Sequence, residues 1–193
     1  MLFNHSAGTD KAGANIMVCK DITEGLRAKG VFHVVCYDKD GNLKWELEEH
    51  NLVVNVGLQD MNAKYFTGSA YTAAWYLGLY GAAASNNPAA SDTMSSHAGW
   101  TENTTYSQST RPACTFGTPS TANPSVATNS ASPAAFSING TTTIGGAFLT
   151  SNSTKSGTTG TLFSAVDFSS PGDRSVVSGD TLNVTYTFSL TAS

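Results

Sequence analysis

Near its C-terminus the chain alternates almost without error: Leu182, Val184, Tyr186, Phe188 and Leu190 are separated by Asn183, Thr185, Thr187 and Ser189. Successive side chains of a β-strand point to opposite faces, so this period gives one apolar face and one face of hydroxyl and amide groups. A helix cannot use such a pattern. The stretch preceding it has the same chemistry, because residues 113–193 carry only five charged side chains, Lys155, Asp167, Asp173, Arg174 and Asp180. With 12% charged residues overall, about half the usual share, the surface must be kept hydrated by Ser, Thr and Asn. Such faces fit a pleated sheet and repel neighbouring copies less than Lys or Glu would. The feature predicts a structural sheet compatible with close packing against other subunits.

A length of 193 residues suits one domain, or one domain with an arm, able to bury roughly 70% of its unfolded surface. The net charge of −4 and the dispersed Lys and Arg argue against a direct hold on nucleic acid, which needs clustered cations to displace phosphate counterions. Cys19, Cys36 and Cys114 have neither CxxC nor Cys/His spacing and read as reduced thiols, with Cys36 a core residue inside an apolar strand. No run approaches the length of a membrane span, and the first residues lack the layout of a signal peptide. Synthesis and folding in the cytosol, without membrane association, are the expectation.

Residues 1–30 contain four glycines and one apolar cluster, Ile16-Met17-Val18-Cys19, which reads as an extended arm with a short helical turn over 21–29. The domain proper is expected over 31–193. Val31 to Tyr37 and Leu43 to Glu48 flank the Asp40-Gly41 turn signal and predict a hairpin, followed by a short strand over 52–56. Leu58, Met61 and Tyr65 then recur at helical spacing, with Asn55 as the cap and Gly68 as the stop, predicting one helix. Further strands are expected over 75–80, 111–116, 135–138, 143–150, 161–168 and 181–190, with loops over 92–106 and 117–133. The architecture these elements imply is a mainly β, jelly-roll-like antiparallel β-sandwich with one short helix and an extended N-terminal arm.

The patterns that could carry chemistry fail at decisive positions. Asp38-Lys39-Asp40-Gly41-Asn42, with Glu49 at the twelfth place, invites a calcium loop, but the sixth place is Leu43, where that loop needs glycine. A hairpin turn is the simpler reading. Asp92, Ser95, Ser96, His97 and Glu102 gather the residue types of a catalytic triad without a nucleophile elbow; a capping role for Asp92, with His97 bonded beside Trp100, is expected instead. His5, His33 and His50 are scattered, and Glu48-Glu49 reads as a solvated strand end. Gly145-Gly146 inside an apolar strand suggests a bulge or close packing. Trp75, Tyr76, Tyr80, Trp100 and Tyr106 are read mostly as core, with a binding platform as the alternative. No catalytic residue, cofactor site or metal site is expected.

The stretches Asn51 to Met61, Trp75 to Leu79, Asp92 to Met94, His97 to Glu102, Ile144 to Leu149 and Ser178 to Leu182 together resemble small structural proteins of tailed bacteriophages, over roughly residues 31–190. The resemblance implies a virion component, and the expected sandwich agrees with decoration, or cement, proteins that clamp capsid subunits. Its implied partners are the major capsid protein or neighbouring virion proteins, together with further copies of itself. A neck, tail or head-fibre component is the alternative. It implies no catalytic residue.

Overall fold

The computed structural model describes residues 25–71, 73–82, 87–170 and 172–192, so residues 1–24 of the arm expected over 1–30 lie outside the described residues. Twelve elements follow in chain order: β1 (Leu26–Tyr37), β2 (Leu43–His50), β3 (Leu52–Val53), α1 (Asn55–Phe66), β4 (Tyr76–Gly81), β5 (Glu102–Asn103), β6 (Ser125–Thr128), β7 (Ala134–Ser137), β8 (Thr142–Thr150), β9 (Leu162–Asp167), β10 (Arg174–Val176) and β11 (Thr181–Ala192). One sheet has the order β2-β1-β11-β6, with β7 also pairing β11; the other runs β3-β9-β8-β4-β5, with β10 pairing β8. Every pairing is antiparallel. The chain changes sheet after β2, β5, β7 and β10, so the first and last strands meet inside one sheet of a jelly-roll-like sandwich. They pair along their whole length, from Leu26 opposite Ala192 to Tyr37 opposite Thr181.

The alternation in β11 does what its period demands. Leu182, Val184 and Tyr186 are fully buried, and they face the core with Phe32, Val34 and Cys36 of β1. From the second sheet, Leu77, Leu79, Ile144, Ala147 and Leu149 close the same layer. Each fully buried side chain of this size contributes about 1.5–3 kcal/mol, which is why the two inner faces are largely apolar. Burial, with the Asp180 carboxylate nearby, pushes the Cys36 thiol up to about 11, as suits a core residue.

The second sheet is also covered on its outer face. Tyr80, Phe148, Leu162 and Ala165 point away from the sandwich interior and pack with Val54, Met94 and Trp100 in a second, smaller core. Glycine makes this layer possible: a Cβ on Gly78 would enter the Phe148 ring, and one on Gly146 would enter the Tyr80 ring. The close approach expected at Gly145-Gly146 is therefore present, and the Tyr80 hydroxyl donates to the Val166 carbonyl at 2.6 Å across it.

Several sequence expectations need correction. Strand β1 begins at Leu26, so residues 26–30 belong to the sheet and the helical turn does not extend over them; pairing with 188–192 overrides their weak local signal. Helix α1 spans Asn55–Phe66, but Asn55 is its first residue and the cap position, Val54, makes no side-chain bond. Gly68 follows the helix with φ of 66°, where glycine is cheapest. The strand expected over 111–116 is reduced to a single bridge, Ala113 to Tyr76, because Pro112 has no N–H with which to extend a ladder. Strand β6 lies within the expected loop of 117–133, where four residues without alternation gave no signal until β11 paired with them.

Candidate functional site

The residues that suggested a triad are each bound to something else. Asp92 Oδ2 accepts from the Trp100 indole nitrogen and from the Ala89 backbone N–H, both at 3.0 Å. The His97 ring stacks on Trp100, with centroids 3.8 Å apart, and its Nδ1 lies 2.9 Å from the Trp100 carbonyl. Ser95 pairs with Thr93, and the Ser96 backbone N–H donates to the Thr93 hydroxyl. These bonds fold the 87–101 loop over the outer core; His97 is bonded beside Trp100 as expected, but no helical turn starts at Asp92 for it to cap. Likewise Asp38 accepts from the backbone N–H groups of Asp40 and Asn42 and from the Asn42 amide, closing a hairpin turn in which Gly41 has φ of 84°. Glu49 accepts from the Ser170 backbone at 2.8 Å, far along the sequence from that turn. Among the described residues no group of three or more His, Cys, Asp or Glu is placed to hold a metal ion.

Glu102 instead enters a buried ion pair. Arg111, whose side chain is fully buried, donates from Nε and Nη2 to the two oxygens of Glu102 at 2.9 and 2.7 Å. Nη1 and Nη2 also donate to the carbonyls of Asn152 and Gly157, and its guanidinium carbon lies 5.2 Å from the centroid of the Phe148 ring. Glu102 also accepts from the backbone of Ser156, which holds φ at 56°. Lys155 caps the assembly by donating to the carbonyls of Tyr106 and Gln108, with Nζ 3.8 Å from the Tyr106 ring centroid. Desolvation pushes the Lys155 ammonium below its ordinary value, with Glu102 pulling the other way. This hub ties the 151–161 loop to the 102–111 segment, and its hydrogen-bonding groups are spent on that task.

Concave apolar surface is left accessible in a cleft of about 600 Å³ at one mouth of the sandwich. Phe188, Tyr186 and Ala127 line it from the β1-containing sheet; Trp75, Leu149 and Phe163 line it from the other; Met61 of α1 and the 113–119 segment close its sides. The aromatic rings meet edge to face: Trp75 on Phe163 and Phe163 on Phe188, each at 5.4 Å. Trp75 donates its indole N–H to the Tyr71 hydroxyl at 3.0 Å, which fixes the rim. At the base, the Tyr186 hydroxyl accepts from Asn51 and Ser164, while burial pushes its pKa up. Burial alone pushes the Cys114 thiol in the wall up to about 12, so it is a neutral, apolar lining group at ordinary pH. Among the described residues no lining residue is charged. A volume of this size, walled by rings, matches cavities that hold apolar groups.

Beside the cleft, α1 ends in an exposed aromatic pair. Tyr65 and Phe66 are 83% and 75% accessible, with ring centroids 4.9 Å apart at 81°. Leu58 and Tyr71 are also exposed nearby in sequence. The helical spacing of Leu58, Met61 and Tyr65 therefore marked the helix but not its buried face: Met61 alone of the three packs on the core, and α1 is seated by Gly57, where a Cβ would strike the Phe163 carbonyl. The sequence did hold a clue, since adjacent residues on a helix lie about 100° apart and two consecutive aromatics cannot share one narrow stripe. Of the five aromatics singled out, Tyr80, Trp100 and Tyr106 are core, whereas Trp75 and Tyr76 line the cleft.

No family model matches the chain, and no match was found among curated proteins or solved structures.

Proposed function

We propose that this chain is a structural component of a bacteriophage particle, a decoration protein that binds the outer surface of the capsid and bridges its subunits. The observation that carries the reading is the Tyr65–Phe66 pair at the end of α1, exposed on a protein whose other large aromatics are mostly covered. Aromatic rings are the commonest anchors of protein interfaces, because each removes much apolar area from water at little conformational cost. The sparse charge of the surface supports the same reading, since hydroxyl-lined strand faces can lie against a neighbouring subunit without stranding buried ions. The resemblance over residues 31–190 to phage structural proteins supplies the biological setting. In this mechanism copies of the chain lie across junctions between capsid subunits, each adding an interface of roughly 800 Å² per partner, and together they resist outward pressure on the shell.

Adding the purified protein back to particles that lack it tests the reading. The native chain is expected to decorate the shell in a reconstruction, whereas the Tyr65→Ser/Phe66→Ser double variant binds at least about 30-fold more weakly, the loss expected of an anchor worth some 2 kcal/mol. An unchanged melting temperature for that variant shows that binding, not folding, was removed. Density confined to the neck or tail, in a few copies per particle, would replace the capsid reading with an attachment or connector role; absence from the particle would overturn both.

A further inference from the structure

The apolar cleft does not end at Phe188. Opposite Phe188 in the register stands Gly30, and beyond it β1 runs on through Ala28 to Leu26, past the last residue that pairs with β2. Strand alternation places Ala28 and Leu26 on the same face as core residues Phe32 and Val34, and Leu190 of β11 continues that face beside them. Leu26 is 70% accessible. The inner face of this sheet is thus an apolar shelf leading out of the cleft, and 24 residues of chain precede it, joined at Gly25.

Those residues contain a sequence suited to the cleft. Residues 12–19 carry no charge and end in Ile16-Met17-Val18-Cys19, and Lys11 and Lys20 bracket them. We propose that the Ile16–Cys19 cluster docks into the cleft of its own chain, placing aliphatic side chains against Trp75, Phe116, Phe163 and Phe188. Reach allows it. From Leu26 back to the register of Phe188 is four residues of strand, about 13 Å, while the eight residues from Val18 to Leu26 span up to about 26 Å when extended. The tether therefore covers the distance with enough slack to reverse direction. It also decides the occupant: so short a link holds the cluster at millimolar effective concentration, well above that of a second copy in a micromolar solution. The cleft offers uncharged walls and about 600 Å³, and the cluster offers uncharged aliphatic groups between two ammonium groups that can stay in water. Docking of this kind does not depend on the capsid reading, because it concerns the isolated chain.

Paramagnetic broadening measures it directly. A nitroxide is attached at position 20 in an isotope-labelled Cys19→Ser/Lys20→Cys chain; Cys36 and Cys114 are buried and do not compete for the reagent. The backbone amides of Phe116, Gly117, Ala127 and Phe188 are expected to lose most of their intensity, while the Asp38–Asn42 turn at the far end of β1 keeps its own. Adding Ile16→Asp and Val18→Asp to the labelled chain should restore the lost signals while the domain stays folded, with only a small fall in melting temperature, the stability that docking itself adds. Broadening limited to residues adjoining Gly25, or spread evenly over the domain, overturns the proposal, as does failure of the aspartate substitutions to restore intensity. A mixture of spin-labelled, isotope-free chain with label-free, isotope-enriched chain separates the two possible sources of the cluster. Broadening of the cleft amides in that mixture would assign the cleft to the arm of a second copy and overturn docking within one chain.

Discussion

The Arg111–Glu102 hub and the apolar cleft use the same kind of material, loops laid against the ends of strands, to opposite effect. In the hub two full charges are taken out of water, and guanidinium, carboxylate and loop carbonyls are matched to one another. In the cleft no described lining residue is charged, and although Phe163 and Phe188 touch edge to face across the sandwich, accessible apolar space is left beside them. A buried ion pair adds little net stability compared with apolar packing, but it is intolerant of losing one partner. Accessible apolar surface behaves the other way round: it costs the fold little to alter and gains energy only when something covers it. The difference separates groups that hold the domain together from groups available to a partner, and it argues against reading the most polar cluster of a protein as its site.

Breaking the hub should have the largest effect. Arg111→Met leaves Glu102 buried beside the Ser156 backbone without its cation, and a loss of about 3–5 kcal/mol is expected, or roughly 10 °C in melting temperature for a domain of this size. The double variant Arg111→Met/Glu102→Leu should recover a substantial part of that loss, because no uncompensated charge remains. Thermal unfolding of the two variants checks both statements. Equal destabilisation by single and double variants would mean that the bonds to the Asn152 and Gly157 carbonyls, not the charge pairing, carry the hub.

Why the hub was not legible in the sequence, although the sandwich was, follows from the range of the forces involved. Alternation in 182–190 and the Asp-Gly turn after β1 are local signals, and a strand with one apolar face has only one way to bury it. The partners of Arg111 are scattered over residues 102–157, and no spacing rule links an arginine to a carboxylate nine positions away on a separate element and to two loop carbonyls. Strands β5, β6 and β10 were missed for a related reason: they are two to four residues long and exist because a longer strand offers them a ladder. The cleft was half visible. Trp75 and Tyr76 stood out as aromatics that could be either core or platform, but the wall from 113–119 could not be anticipated once 111–116 was read as a regular strand and 117–133 as a loop.

Adding volume on the two sides of the second sheet sharpens the distinction between filled and unfilled apolar space. Gly78→Ala adds one carbon where the Phe148 ring already lies, and a cost of about 1–3 kcal/mol is expected from overpacking. Ala127→Phe adds a whole ring, yet it points into the cleft, so its effect on stability should stay under about 1 kcal/mol. Denaturant titration of the two variants ranks them. A larger penalty for Ala127→Phe than for Gly78→Ala would mean that the cleft is closed in solution.

The smallest expected effect tests whether pairing is what makes the hub's carboxylate acceptable. Asp167 is a carboxylate without that advantage: burial raises its pKa above the ordinary value, and the nearby carboxylates of Asp173 and Glu49 raise it further. A raised folded pKa means that the fold binds this proton more tightly than the unfolded chain does. The charged form therefore opposes folding at neutral pH, and the opposition is relieved as pH falls through the raised value. Asp167→Asn should accordingly stabilise the protein at pH 7, by less than about 1 kcal/mol because much of the group is solvated and screened. The gain should shrink towards zero as the pH is lowered into the carboxylate range, where the native side chain is protonated in both states. Melting temperatures of the two proteins between pH 3 and about pH 7 follow this directly, within the range in which carboxylates titrate. A gain that persists unchanged at acid pH would trace the effect to packing, and a loss at neutral pH would show that the Asp167 charge is satisfied as fully as that of Glu102.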